Sequence, residues 1–159
     1  MIEALLMTLT IVTSACSGIA GGVYFSFAAI VMPALRRAQP HEAVSAMQSI
    51  NVAAVRWPFM IIFFGSLIGS VALVVMDMAA GNWVPASIVR VIGAALGIAA
   101  FSITVLGNVP LNNQLASETG SGSAADSWKS FHIPWSRFNL ARTILSMAVP
   151  VVLGYSLVI

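Results

Sequence analysis

Residues Pro58 to Ala80 read PFMIIFFGSLIGSVALVVMDMAA, a run whose single charge, Asp77, sits near its far end. Such a stretch fits a helix crossing a hydrocarbon layer, which is about 30 Å thick and takes about 20 helical residues. Three further runs share its character, at about 4–32, 85–107 and 138–159. Together they predict an all-α fold, an integral membrane four-helix up-down bundle forming one membrane domain over residues 1–159. Hydrophobic residues make up 59% of the 159 positions and charged residues 8%. Soluble domains carry about a quarter charged residues, so this chain cannot lay a polar shell over a water-soluble core.

The connections between runs are unequal. Pro40-His41-Glu42 opens a segment in which Val44, Met47 and Ile50 recur near helical spacing. Proline at a helix start with an acid in the first turn predicts a short interfacial helix between spans 1 and 2. Gly81 to Val84 is a tight turn, which makes the second and third spans antiparallel neighbours. The third connection, about 116–127, is rich in Gly, Ser and Ala and is expected to stay flexible, because it can bury little apolar surface. Pro110 is expected to break the third helix just past Gly107. The first run is overlong and is expected to tilt, or to bend near Gly18, Gly21 and Gly22. It exceeds a signal-peptide core and no basic residue precedes it, so it reads as a retained helix.

Basic residues give an orientation. Arg36, Arg37 and Arg56 lie in the first connection and Lys129 and Arg137 in the third, which the positive-inside rule places in the cytoplasm. Both termini are then non-cytoplasmic, in what is expected to be a bacterial inner (plasma) membrane. The formal net charge of +2 is explained by this distribution, and membrane lipids rather than nucleic acid are the expected surroundings. Cys16 stands alone, so no internal disulfide can form. Two histidines, His41 and His132, and no glycine-rich loop after a strand leave neither a metal nor a cofactor expected. Gly18/Gly22, Gly65/Gly69 and Gly93/Gly97 allow close helix packing, either inside the bundle or in a homo-oligomer.

Polar residues inside such helices need a reason. The helical step puts Trp135, Asn139, Arg142 and Ser146 on one stripe, with Arg137, Leu140 and Ile144 opposite. Arg142 and Asn139 should therefore face the bundle interior, while Arg137 snorkels to headgroups. An inward arginine is a functional candidate by default, although pairing with helix-end carbonyls would make it structural. Asn108, Asn112 and Asn113 gather at the end of the third span, where amides can hold a ligand's carbonyls and hydroxyls or simply cap the helix. Asn51, Arg56, Trp128 and His132 fall on the same side and can close over such a site. His132 is the candidate neutral-pH base there, or else a satisfied interfacial histidine. Tyr24 flanks the small-residue face of Ser14, Ser17, Gly18 and Gly21, where it lines a cavity or packs. Asp77 faces water or pairs with Arg90.

Four segments together resemble the anthrone-oxygenase-like family of small four-helix membrane proteins. They are Gly22-Val23-Tyr24-Phe25-Ser26-Phe27 leading to Met32-Pro33-Ala34-Leu35, Met47-Gln48-Ser49-Ile50-Asn51, Asn108-Val109-Pro110-Leu111-Asn112, and Trp135-Ser136-Arg137-Phe138-Asn139-Leu140-Ala141-Arg142. The resemblance covers essentially the whole chain and implies a cofactor-independent oxygenase acting with O2 on a flat apolar aromatic of the anthrone kind. Such chemistry needs an apolar pocket, a base and donors for a developing oxyanion. On this reading His132 is the base and Arg142 the oxyanion partner. Asn108, Asn112 and Asn139 orient the substrate's oxygens, with Tyr24, Asn51 and Trp135 lining the pocket. The alternative is a non-catalytic membrane protein that binds a lipid, a quinone or a partner helix through the same polar cluster.

The orientation is testable by cysteine labelling in intact cells on a Cys16→Ser background. An impermeant reagent should modify a cysteine placed near Ile159 and spare Ser121→Cys; the opposite pattern reverses the topology.

Overall fold

The computed structural model describes residues 2–118 and 123–159. Four helices are long and apolar enough to cross a membrane: α1 (Ile2–Leu35), α3 (Trp57–Ala80), α4 (Pro85–Ala116) and α5 (Ala124–Tyr155). A fifth, α2 (Pro40–Ala54), occupies the first connection. Proline opens α2 as Pro40, enters the first turn of α3 as Pro58 and opens α4 as Pro85. At these positions its missing N–H would have had no intrahelical partner. The Gln39 N–H donates to Glu42 Oε2 at 3.2 Å and closes the start of α2. Gly81, at φ 63°, ends α3 in the left-handed conformation that glycine adopts without strain.

α1 and α4 each pack against both α3 and α5, giving a four-helix ring in which α1 and α4 lie diagonally opposite. The α3–α4 corner is clamped at the Gly81 end by Arg90, whose Nε donates to Asp77 Oδ2 at 2.8 Å while Nη2 donates to Oδ1. Among the described residues this is the one ion pair. The inward faces are small and rich in hydroxyls: Thr10, Thr13, Ser17, Ser70, Thr104, Thr143 and Ser146 are all buried. In a span, a hydroxyl finds its partner inside the protein or goes without, as Thr13 and Ser70 do among the described residues. Thr10, Thr104 and Thr143 find one by donating to the carbonyl four residues back, and Ser17 pairs with Ser66 across α1 and α3 at 2.6 Å.

Two departures from the sequence reading matter. The third helix does not stop at Gly107 but passes through a π-helical turn, Thr104–Asn108, and runs on to Ala116. α1 does the same through Phe27–Val31 and reaches Leu35. In both helices a proline follows at once, Pro110 and Pro33, in the first turn of the resumed α-helical segment. The widened turn has already shifted the hydrogen-bond ladder there, so proline's missing donor no longer breaks the helix. The second departure is α5, which starts at Ala124 rather than near 138. Its first half carries Trp128, Phe131 and Trp135 on one face, and α2 covers them with Ala43 and Met47, joined by Met32 and Leu115. Gln48 Nε2 fastens α2 by donating to the Leu115 carbonyl at 2.8 Å. Of the Gly/Ser connection, residues 119–122 lie outside the described residues.

Gly69, Gly93 and Gly97 serve the bundle. A Cβ on Gly69 would collide with Thr13 of α1, and one on Gly97 with Ser70 of α3, whereas a Cβ on Gly22 would meet nothing within 4 Å. Gly69→Leu should therefore cost about 1–3 kcal/mol through overpacking, and Gly22→Leu should leave the thermal transition in detergent unchanged. An equal loss at Gly22 would point to a second chain against that face.

Candidate functional site

Arg142 is 7% exposed and points into the bundle, while Arg137 on the opposite side of α5 is exposed. Asn139, one turn earlier and fully buried, turns its Oδ1 to the guanidinium and accepts from Nε at 3.2 Å and Nη2 at 3.0 Å. Its own Nδ2 donates to the Tyr24 backbone carbonyl at 3.0 Å, just before the π turn of α1. From the third helix Thr104 Oγ1 accepts from Nη1 at 3.4 Å. The guanidinium carbon lies 4.0 Å from the centroid of the Tyr24 ring and 5.3 Å from that of Trp135, so two aromatic faces shelter the charge.

No carboxylate of the described residues lies within ion-pair distance of Arg142. Of its five N–H groups, three have acceptors within the protein and two have none among the described residues. A buried cation with unused donors is a receptor for an anion or for an oxygen that gains negative charge. The neighbouring amides complete the polarity. Asn108, fully buried, donates through Nδ2 to the Trp135 carbonyl at 3.2 Å, and its Oδ1 has no partner among the described residues. Asn112 Oδ1 accepts from Trp135 Nε1 at 2.8 Å, which fixes the indole whose face meets Arg142. Donors on Arg142 and a free acceptor on Asn108 thus border one tryptophan.

The structure brings together Tyr24, Asn108, Asn112, Trp135, Asn139 and Arg142, but not His132 or Asn51. His132 Nδ1 donates to the Trp128 carbonyl at 2.8 Å, and its ring stacks on Trp128 at 5.4 Å and 17°. The ten positions from 132 to 142 within one helix amount to about 15 Å along its axis and about 80° around it. This spacing leaves His132, expected as the base, outside the cluster that holds Arg142, the expected oxyanion partner. Asn51 belongs to α2 and leaves its Nδ2 buried without a partner. Thr104 was not distinguishable in the sequence from the many hydroxyls that bond their own helix.

Space near Arg142 is scarce. A void of about 10 Å³, room for about one water, lies among Ala20, Tyr24, Phe63, Ser66, Gly97, Ala100, Phe101 and Ser146. A larger groove of about 200 Å³ lies between α2 and the start of α5, lined by residues such as His41, Gln48 and Glu118, and includes none of the arginine cluster. The described conformation is closed around the cluster. Among the described residues no three His, Cys, Asp or Glu side chains gather as metal ligands.

Fold and cluster together define a four-helix membrane protein with a desolvated cationic site. The chain belongs to the anthrone oxygenase family, whose model matches residues 57–152. That stretch contains every cluster residue except Tyr24. Searches of curated proteins and of solved structures return no match.

Removing the amide that holds the arginine tests the cluster's internal dependence. Asn139→Leu should lower stability by about 1–3 kcal/mol or more, because it strands both a buried charge and the Tyr24 carbonyl. Adding Arg142→Leu should restore part of that loss. Strict additivity in the thermal unfolding of the two single variants and the double variant would mean that the fork carries no coupling.

Proposed function

We propose that the chain is a membrane-embedded oxygenase that needs no cofactor and oxidises the acidic methylene of a flat, anthrone-like aromatic with dioxygen. The observation that carries this reading is Arg142, buried without a carboxylate and holding two unused donors beside aromatic faces. An anthrone has a carbonyl conjugated, once deprotonated, with its methylene carbon, so its enolate places negative charge on an oxygen. Arg142 binds that anion in preference to the neutral ketone, which promotes ionisation by stabilising the charged form. The proton is taken by a water, for which the void beside Tyr24, Ser66 and Ser146 has room, and no side-chain base has to reach the substrate.

Electron transfer from the enolate to dioxygen, followed by radical recombination, forms a carbon–oxygen bond and a hydroperoxide anion, which is protonated. Loss of the remaining proton from that carbon cleaves the oxygen–oxygen bond, expels hydroxide and leaves a second carbonyl. The methylene has then lost two hydrogens and gained one oxygen, and the other oxygen departs as water. Trp135 and Tyr24 supply flat faces against the rings, and Asn108 Oδ1 accepts from a phenolic hydroxyl. We place α2 and the cluster of basic residues around it on the cytoplasmic side of a bacterial inner membrane.

The second reading, a non-catalytic protein that binds a quinone or lipid at the same cluster, is favoured by the closed packing around Arg142. Oxygen uptake separates the two. Purified protein in nanodiscs should accelerate oxidation of dithranol above its spontaneous rate, with one dioxygen consumed per anthraquinone formed. Arg142→Leu should lose roughly 10- to 150-fold, the equivalent of about 1.5–3 kcal/mol for a desolvated charge-assisted bond. Its residual activity should rise toward alkaline pH, where the substrate ionises unaided. Lysine at 142 should rescue only partly, since a point charge lacks the fork, and Arg137→Leu and His132→Gln should stay near wild type. Binding without oxygen uptake would support the non-catalytic reading, and a large loss in His132→Gln would return the base to that residue.

A further inference from the structure

Between α3 and α4 runs a row of phenylalanines that leads from the outer surface to Tyr24. Phe64 is 46% exposed on the outside of the bundle, where an embedded protein meets lipid. Its ring lies 5.4 Å from Phe63 and 5.9 Å from Phe101. Phe63 and Phe101 stack face to face across the two helices, with centroids 4.6 Å apart and planes at 24°. Phe59 continues the row, 6.1 Å from Phe63 and 6.2 Å from Tyr24, whose ring carries the Arg142 guanidinium. Behind the stacked pair lies the water-sized void, walled by the small residues Ala20, Gly97 and Ala100 and by the hydroxyl-bearing Ser66, Ser146 and Tyr24.

We propose that the flat substrate enters sideways from the lipid between α3 and α4 and takes the place of the Phe63–Phe101 stack, with its oxygen directed to Arg142. This rests on the oxygenase reading for the chemistry of the ligand, and it adds where the rings sit and how they arrive. A pair of parallel rings is a place where a third flat ring makes the same contacts on both faces. The space behind the pair holds about one water, so the displaced rings turn outward toward lipid as the helices part.

The two helices are built to part at that level. They are joined by the short link from Gly81 to Val84 and clamped at the same end by Asp77 and Arg90. Phe63 stands 14 residues before Asp77 and Phe101 stands 11 residues after Arg90, about 20 Å and about 16 Å along their helices. A small opening angle about the clamp therefore becomes a gap of several ångströms at the stack, without loosening the ion pair. Access from the water side would instead have to lift α2, whose Ala43 and Met47 are fully buried against the Trp128 cluster. An apolar fused-ring molecule partitions into the bilayer, so the lateral route also spares it a passage through water.

The test uses the full chain in nanodiscs with anthraquinone as the binding probe, read by quenching of tryptophan fluorescence, and dithranol oxidation alongside. Ala100→Phe fills the space behind the stack and should weaken anthraquinone binding at least tenfold. It overpacks a void of about one water, so its thermal transition should fall, and the second variant decides where it does not fold. A second variant, Ser70→Cys with Gly97→Cys on a Cys16→Ser background, has Cβ positions 3.5 Å apart and joins α3 to α4 when oxidised. It should bind anthraquinone slowly or not at all when oxidised and recover on reduction, a comparison within one folded protein. Unchanged binding in Ala100→Phe and in the oxidised form would overturn the lateral slot while leaving the oxygenase reading to the Arg142→Leu result. Slot-dependent binding in a wild-type protein that consumes no dioxygen would uphold the slot and sink the oxygenase reading. A wild type that binds neither anthraquinone nor dithranol would overturn the slot outright.

Discussion

A guanidinium held away from water by Asn139, Tyr24, Trp135 and Thr104 is the constraint around which the rest of this bundle is arranged. An arginine near the middle of a span costs about 2.5–3.5 kcal/mol on insertion scales, and more by other estimates. The protein offsets part of that cost with the Asn139 fork and two aromatic faces. Each of those groups then makes its own demand. Asn139 takes the Tyr24 carbonyl, Trp135 takes Asn112, and Asn108 takes the Trp135 carbonyl, so three of the four spanning helices are tied to one charge. Close approach of those helices follows, and glycine stands where α1 meets α5, at Gly21 against Met147, and where α4 meets α5, at Gly107 against Phe138.

The two π turns belong to the same arrangement. One ends beside Met32 in α1 and the other delivers Thr104 and Asn108 from α4, so the irregular stretches fall in the inner helices on both sides of Trp135. Single π turns are often found at functional sites because a widened turn re-aims the side chains on it. Here the turn points Thr104 at Arg142 and buries Asn108 against Trp135. The proline after each turn resumes the α-helix at a position where its lack of a donor costs little.

How much of this was readable in the sequence depends on the length over which each signal is averaged. Long apolar runs declare four spans, and a regular 100° step from Trp135 to Ser146 correctly turns Arg142 inward and Arg137 outward. The Pro40 and Glu42 signals mark α2 for the same reason, because capping acts within one turn. A π turn, by contrast, shifts the phase within five residues and has no residue pattern of its own, so Pro110 read as a stop and the third helix as ended. The start of α5 was hidden because Trp128, Phe131 and Trp135 are buried by α2, a distant segment that local hydropathy cannot register. His132 and Arg142 were grouped because each is the conspicuous polar residue of its stretch; axial rise along a helix that begins earlier than expected separates them.

The cluster makes little sense as a device for stability alone. A buried charge usually adds less than well-packed apolar residues of similar volume would, and two donors on Arg142 are left without protein acceptors. Leaving them unmade has a standing cost that disappears when an oxygen bearing negative charge arrives, so the cost in the empty protein is recovered as preference for an anionic ligand. The aromatic faces around the guanidinium add a shape requirement, because they reward a flat partner over a round one. On the proposed reading, charge and flatness together fit the enolate of a fused-ring ketone, whereas a phospholipid headgroup is anionic but not flat and a quinone is flat but not anionic until reduced. On that reading the closed resting state is no obstacle, because the phenylalanine rings of α3 and α4 occupy the space that a flat ring would need.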